Sequence, residues 1–265
     1  MPQVASIAAT DASVLLRADA DGITTLTLNR PKQYNALSEA LIAELQRSLE
    51  AIAADESVRV VIVAGSGAAF CAGHDLKEMR AHYEQARIDA VFAQCSRIML
   101  MLTQLPQPVI ARVHGIATAA GCQLVAQCDL AVASDNARFA TSGINVGLFC
   151  STPAVPLSRN VSRKRAMEML LTGEFIDAQK AMAWGLVNRV VPADQLDDEV
   201  MRLASLIKSK PRESIAMGKK LFYQQADAGI AQAYTMACGV MTSNFMHEEA
   251  AEGVDAFMQK RPPKW

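Results

Sequence analysis

The chain has 265 residues, enough for one large domain or two small ones around a sizeable core. Apolar residues make up 51% and charged residues 20%, a globular composition that excludes a disordered tail protein. With 26 Lys and Arg against 27 Asp and Glu, the net charge of −1 draws the chain toward neither nucleic acid nor an anionic membrane, and aromatics at 5% are too few for base-stacking platforms.

In chain order, the stretch 1–13 has no basic flank before an apolar core, so it does not read as a secretory signal. Residues 14–20 and 23–28 predict two strands around Asp21-Gly22, a hairpin turn signal. Ser38 is placed to cap a helix reaching about Asp55, with Leu41, Ile42, Leu45, Leu49 and Ile52 as its buried stripe. The β-branched run 58–64 lacks alternation and predicts a strand buried on both faces. A loop over 65–77 follows, then a helix over 85–105 stopped by Pro106-Gln107-Pro108. Residues 109–113 predict another strand, 115–127 hold a helix of small residues, and 130–133 return to strand. Beyond about residue 150 helices dominate. Two of them, 162–171 and 177–184, end at Gly173 and Gly185; a lone strand at 186–191 precedes helices at 193–208, 212–226, 229–244 and 247–259. No repeat, no Gly/Ser-rich hinge and no apolar run near the roughly 18–20 residues of a membrane span is visible. One α/β domain with a helical extension is expected.

Six cysteines without a C-x-x-C pair read as reduced, mostly buried residues, which suggests the cytoplasm or another reducing compartment. Four histidines show no metal-ligand spacing, so no metal is expected. Gly65-Ser66-Gly67 follows a strand, but the third glycine of a dinucleotide fingerprint would fall at Phe70; P-loop and G-x-S-x-G signatures are absent. Two segments stand out instead. Phe70-Cys71-Ala72-Gly73-His74-Asp75-Leu76-Lys77 and His114-Gly115…Ala120-Gly121-Cys122 each leave the carboxyl end of a buried strand and are rich in small residues. Two such loops from neighbouring strands can aim two backbone N–H groups at one oxygen, forming an oxyanion hole.

These segments, together with Asn29-Arg30-Pro31-Lys32-Gln33-Tyr34-Asn35-Ala36-Leu37, Gln123-Leu124…Cys128-Asp129-Leu130 and Thr172-Gly173…Asp177-Ala178…Trp184-Gly185-Leu186-Val187, resemble the crotonase (enoyl-CoA hydratase/isomerase) superfamily over about residues 12–262. The stretch 145–153 (NVGLFCSTP) is most similar to its enoyl-CoA hydratase domain-containing protein 3 group. The resemblance implies an α/β fold: a crotonase-like spiral of ββα repeats carrying the acyl-CoA site over 1–195, continuous with a helical region over 196–265 that serves oligomerisation and CoA contact. It implies a homotrimer or dimer of trimers, an acyl-CoA thioester substrate of fatty acid metabolism, and coenzyme A entering as part of that substrate with no tightly bound cofactor. Carried over by position, the oxyanion donors are the backbone N–H groups of His74 and Ala120. Ala72, Asp75, Leu76, Lys77 and Gly121 fall to CoA binding, as do Lys32 near the phosphates and Lys260 from a neighbouring subunit.

The departures decide the chemistry. Hydratases of this family use two glutamates to activate water and pass a proton at the α-carbon; here Gln123 and Gly143 stand in their places. A neutral amide is neither general acid nor general base near pH 7, and glycine has no side chain. Each acid–base group is worth about 10²–10⁴ in rate, so ordinary hydration is not expected, while an oxyanion donor worth about 2.7–4 kcal/mol remains. Enolate chemistry without glutamates survives: decarboxylation of a malonyl-type thioester, or a double-bond shift or hydration using another acid. Glu78, His82, Tyr83, Glu84, Cys150 and Ser151 are the candidates for that acid. The alternative is a non-catalytic or weakly active acyl-CoA binder.

Overall fold

The computed structural model describes residues 13–265. The reading of the first residues as no secretory signal, and the start of the 1–195 region, therefore lie outside the described residues for positions 1–12.

The chain opens with the expected hairpin, β1 (Leu15–Ala20) and β2 (Ile23–Leu28), paired antiparallel. Asp21 and Gly22 both take positive φ, 48° and 72°, as a two-residue turn matching strand twist requires. α1 (Glu39–Ala53) starts where the Ser38 hydroxyl accepts the Leu41 N–H, and it buries the five-residue stripe named above.

From there the chain winds in turns of two strands and a helix. The first turn is β3 (Val60–Gly65), β4 (Ala69–Cys71), α2 (Leu76–Ala81) and α3 (Gln85–Gln104). The second is β5 (Val109–Val113), β6 (Ile116–Thr118) and α4 (Ala120–Gln127). The third is β7 (Leu130–Ser134), β8 (Arg138–Ala140), α5 (Ser151–Asn160) and α6 (Arg163–Thr172). β9 (Ile176–Asp177), α7 (Ala178–Trp184), β10 (Arg189–Val191) and α8 (Leu196–Lys208) follow. The chain ends in α9 (Arg212–Gln225), α10 (Ile230–Phe245) and α11 (Glu248–Met258).

The first strand of each turn joins a six-stranded sheet, β1-β2-β3-β5-β7-β10, parallel from β2 onward; the second joins a smaller sheet, β4-β6-β8-β9. This is a spiral of ββα turns. Val61 and Val63 of β3 face the main core with α1 and α3, whereas Val60 and Ile62 face a second cluster closed by Leu196, Val200 and Leu203 of α8. The expected two-sided burial of β3 follows from its place mid-sheet between two helical layers.

Several expectations need correction. The loop over 65–77 contains β4 and the start of α2, and the segment after His114 contains β6, so helix α4 opens only at Ala120. Three-residue strands are too short to leave a periodic pattern. The late strand is 189–191 rather than 186–191, and α5 was not expected at all. It carries Pro153 and Pro156, which read as helix breakers; Pro153 sits in the first turn, where its missing N–H costs nothing.

α9 is bolted to the spiral through a buried ion pair. Lys219 Nζ donates to Asp129 Oδ2 at 2.7 Å and to the carbonyls of Leu102 and Gln107, both at 2.8 Å, while Tyr223 donates to Asp129 Oδ1 at 2.8 Å. Among the described residues, no helix is long and apolar enough to cross a membrane.

Candidate active site

The loop Ala72–Asp75 and the start of α4 meet at one point. A methyl group on Gly73, whose φ is +93°, would lie 2.9 Å from the Ala119 Cβ and 3.2 Å from the Ala120 nitrogen. The backbones of the two segments are thus in direct contact beside the His74 and Ala120 amides. Gly121 makes the approach possible lower down: a Cβ there would lie 2.0 Å from the Cys71 carbonyl oxygen. Gly121 is therefore the packing residue that seats α4 on β4, and its side-chain direction is filled by protein.

Both amides are free for geometric reasons. Leu37 forms a parallel bridge with His74, donating to the Gly73 carbonyl at 2.7 Å and accepting from the Asp75 N–H at 3.0 Å. In that pattern the polar groups of His74 itself point away from Leu37. Ala120 is the first residue of α4, where a helix leaves its N–H groups unbonded. Among the described residues neither N–H has an acceptor. Ala119, at φ 50° and ψ −120°, turns the chain into α4 in a region that favours glycine, and its N–H is held by the Ala140 carbonyl at 3.0 Å.

The segment 29–37 is the scaffold behind this arrangement. Asn35, fully buried, donates through Nδ2 to the carbonyls of Ser66 and Ala69, both at 2.8 Å, and accepts the Arg30 N–H. Arg30 pairs with Asp75 at 2.9 Å and donates to the Ala36 carbonyl at 2.5 Å. Asp75 also caps α2 by accepting the Glu78 N–H, and its hydrogen bonds and the Arg30 guanidinium hold its carboxyl below the usual range against the opposing effect of burial. The sequence reading assigned Asp75 to CoA and gave Arg30 and Asn35 no role. Their signal was present in the quoted motif, but a positioning role is invisible until the partner segment is known.

Gln123 lies one turn into α4 and is 3% exposed; its Oε1 has no partner. Gly143 lies in a short 3₁₀ turn, Ser142–Val146. A Cβ there would meet the Leu148 carbonyl oxygen at 2.6 Å and Cys150 Sγ at 2.8 Å. The direction a side chain at 143 would take is thus closed by backbone and sulfur, so a glutamate there would require the 143–150 loop to move. Two further side chains that sequence reasoning missed belong here. Thr141 is fully buried with an unpartnered hydroxyl, and Thr118 pairs with Ser142, Oγ1 to Oγ 2.7 Å. A buried polar atom left unpaired costs about 1–3 kcal/mol.

The His74 ring packs edge-on against Phe92 of α3, centroids 5.2 Å apart, and its Nε2 is buried without a partner. Burial pushes its pKa down to about 4, so the imidazole is neutral at physiological pH. Phe92 thus brings an apolar ring to the site, whereas Tyr83 is exposed under the Arg80 guanidinium. Two of the candidate replacement acids have structural partners instead. Glu78 accepts the Glu39 N–H at the start of α1, and Ser151 donates to the Phe149 carbonyl. Burial raises the pKa of the Cys150 thiol. Lys32, Leu76 and Lys77 are exposed around the loop; Lys260 is exposed beyond α11, which packs on α9 and α10.

Fold and site together define the enoyl-CoA hydratase/isomerase (crotonase) class, and the chain belongs to that family, whose profile matches residues 18–265. Among known proteins, it is 46% identical over 245 residues to the rat mitochondrial enoyl-CoA hydratase domain-containing protein 3, covering 92% of this chain and 82% of the relative. Against Escherichia coli 2,3-dehydroadipyl-CoA hydratase, the figures are 34% identity with 91% and 94% coverage. The crystal structure of a Mycobacterium smegmatis enoyl-CoA hydratase superposes with a TM-score of 0.94 at 59% identity, covering 96% of this chain and 99% of that one. Human enoyl-CoA hydratase domain-containing protein 3 gives 0.93 at 45%, with 96% and 100% coverage. The resemblance read from residues 145–153 is thus borne out.

Proposed function

We propose that this acyl-CoA enzyme stabilises a thioester enolate between the N–H groups of His74 and Ala120, and that its reaction is of decarboxylase or isomerase type rather than ordinary hydration. The observation that carries the second half is at Gly143: the Leu148 carbonyl and Cys150 Sγ occupy the direction a second acid would take, while Gln123 supplies only a neutral amide. Decarboxylation fits best. The bond between the α-carbon and the carboxylate breaks, and its electron pair moves onto the α-carbon and the thioester oxygen held by the two amides. The carboxylate leaves as carbon dioxide. A proton from water then closes the α-carbon, and the hydroxide left behind is taken up by carbon dioxide as bicarbonate. No protein carboxylate is needed at any step, and developing negative charge on the oxygen is what two preorganised donors stabilise.

Coenzyme A enters as part of the substrate, with Ala72, Leu76, Lys77 and Lys32 along the loop that holds it. The exposed apolar residues of α9–α11, Phe222, Ile230, Met241, Phe245 and Phe257 among them, support a homotrimer or dimer of trimers built by residues 196–265 on a core ending near 195. Lys260 reaches the CoA of a neighbouring copy. Five buried free cysteines fit a reducing compartment such as the cytoplasm, and fatty acid metabolism is the setting that suits an acyl-CoA substrate.

The test mixes purified protein with crotonyl-, malonyl- and methylmalonyl-CoA and follows products by mass. Carbon dioxide release from a malonyl-type thioester, with crotonyl-CoA hydration below about 1 s⁻¹, is expected. Faster hydration would overturn the reading, and binding without product would leave an acyl-CoA binder. Ala120→Pro removes one donor at a helix position that tolerates proline, and should lower turnover about 10²–10³-fold.

A further inference from the structure

Four buried side-chain polar atoms lack a partner among the described residues, and three of them belong to residues that bond to, or adjoin a residue in contact with, the turn at Ala119. Gln123 Oε1 belongs to the residue whose N–H bonds the Ala119 carbonyl. Thr141 Oγ1 belongs to the residue after Ala140, whose carbonyl holds the Ala119 N–H. His74 Nε2 belongs to the residue after Gly73, which abuts Ala119 and Ala120. The fourth, Gln107 Oε1, is remote, on the residue that bonds the end of α1. Folded proteins pair nearly all such atoms, so three unpaired ones on residues linked to this one turn call for a partner that arrives with the ligand.

We propose that His74, Gln123 and Thr141 form an uncharged hydrogen-bonding subsite for a carboxylate on the α-carbon of the acyl group, with Thr141 as its specificity-determining residue. This rests on the enolate reading above and names the substrate class it serves. A half-turn of the Gln123 amide presents N–H in place of Oε1, Thr141 offers a hydroxyl, and the buried neutral imidazole offers an N–H when the proton sits on Nε2. The guanidinium of this region is committed: Arg30 is bonded to Asp75 and to the Ala36 carbonyl. The absence of a cation from the trio matters for the chemistry. A lysine or arginine on the carboxylate would stabilise the charge of the ground state, which the reaction removes; neutral donors orient the carboxylate while opposing its discharge far less.

Thr141→Val keeps the shape and deletes the hydroxyl. We expect the preference for malonyl-CoA over uncharged butyryl-CoA to fall about tenfold, read as kcat/KM for malonyl-CoA against the inhibition constant of butyryl-CoA, which stays constant. Thr141→Ser should retain the preference, and Gln123→Glu, which adds a like charge, should invert it. Equal losses for both ligands, or none, would overturn the subsite while leaving decarboxylation by the wild type standing. If the wild type releases no carbon dioxide, the decarboxylase reading falls separately, and the ratio of the two directly measured dissociation constants in the same variants still decides the subsite.

Discussion

A single methyl group at Gly73 would strain the point where the two loops meet. Its φ of +93° penalises any side chain, and the new Cβ would press on the Ala119 Cβ, the Ala120 nitrogen and the Thr118 carbonyl at 2.9–3.2 Å. Gly73→Ala is therefore expected to lower stability by about 1–3 kcal/mol and turnover by at least about 10²-fold, because the shift displaces both amides together. Thermal unfolding and steady-state kinetics on one preparation check both figures. The neighbouring His74 makes a pH prediction. The unfolded chain protonates this imidazole near 6.5 and the folded chain only near 4. The stability contribution is complete above about pH 6.5 and is lost as the pH falls toward 4, since the unfolded state binds the extra proton in that window. The loss is at most about 3 kcal/mol. His74→Leu, which keeps the backbone amide, should flatten the melting temperature between pH 6.5 and 4 relative to wild type; parallel profiles would refute the assignment. At this scale the sequence showed two loops rich in small residues, each after a buried strand, while the assignment of His74 and Ala120 within them came from the family resemblance. It hid Thr141 and the scaffold of Arg30 and Asn35, whose significance depends on partners up to 45 positions away in the chain.

α4 is the element on which the site turns, and it is held from two sides. Gly121 seats it on β4, and the chain beyond its end carries Asp129, which ties β5 and α9 together. Asp129 accepts the Val109 N–H at 2.7 Å, the Lys219 ammonium and the Tyr223 hydroxyl. With the Lys219 and Asp129 side chains only 7% and 15% exposed, removing one partner strands a buried charge. Lys219→Met should cost about 3–5 kcal/mol in urea unfolding, whereas replacing both partners with apolar residues of similar volume should recover much of that loss. Equal losses in the single and double variants would show that packing, not charge, holds α9. Elements of this kind were legible in proportion to their length. α1 announced itself through five apolar residues at helical spacing, and β3 through an unbroken β-branched run. β4, β6 and β8 are three residues each and carry no period, and so the ββα repeat they complete left no periodic signal and was legible only through the family resemblance of the motifs around them.

The C-terminal helices expose many large apolar side chains. Phe222, Ile230, Tyr234, Met241, Phe245, Met246, Phe257 and Met258 are each more than half exposed, and a shallow apolar groove of about 360 Å³ runs between α9 and α10 past Met217, Leu221 and Val240. A monomer rarely presents so many large apolar side chains on neighbouring helices to water, and covering them would favour the assembly proposed above. With the proposed trimer or dimer of trimers, the protein should sediment at three or six chain masses. Phe245→Glu combined with Met241→Glu should shift it toward the monomer by placing charges in the covered face. Assembly and CoA contact can then be separated. Lys260→Ala removes an exposed cation just beyond α11 and should leave the sedimentation unchanged. If that lysine reaches the nucleotide of a neighbour's coenzyme A, KM for an acyl-CoA should rise about five- to tenfold with kcat preserved, since a contact to a non-reacting part of the substrate contributes uniform binding. The same acyl group on pantetheine, which lacks the nucleotide phosphates, should show no change. A KM shift for both substrates, or for neither, would remove Lys260 from the CoA site.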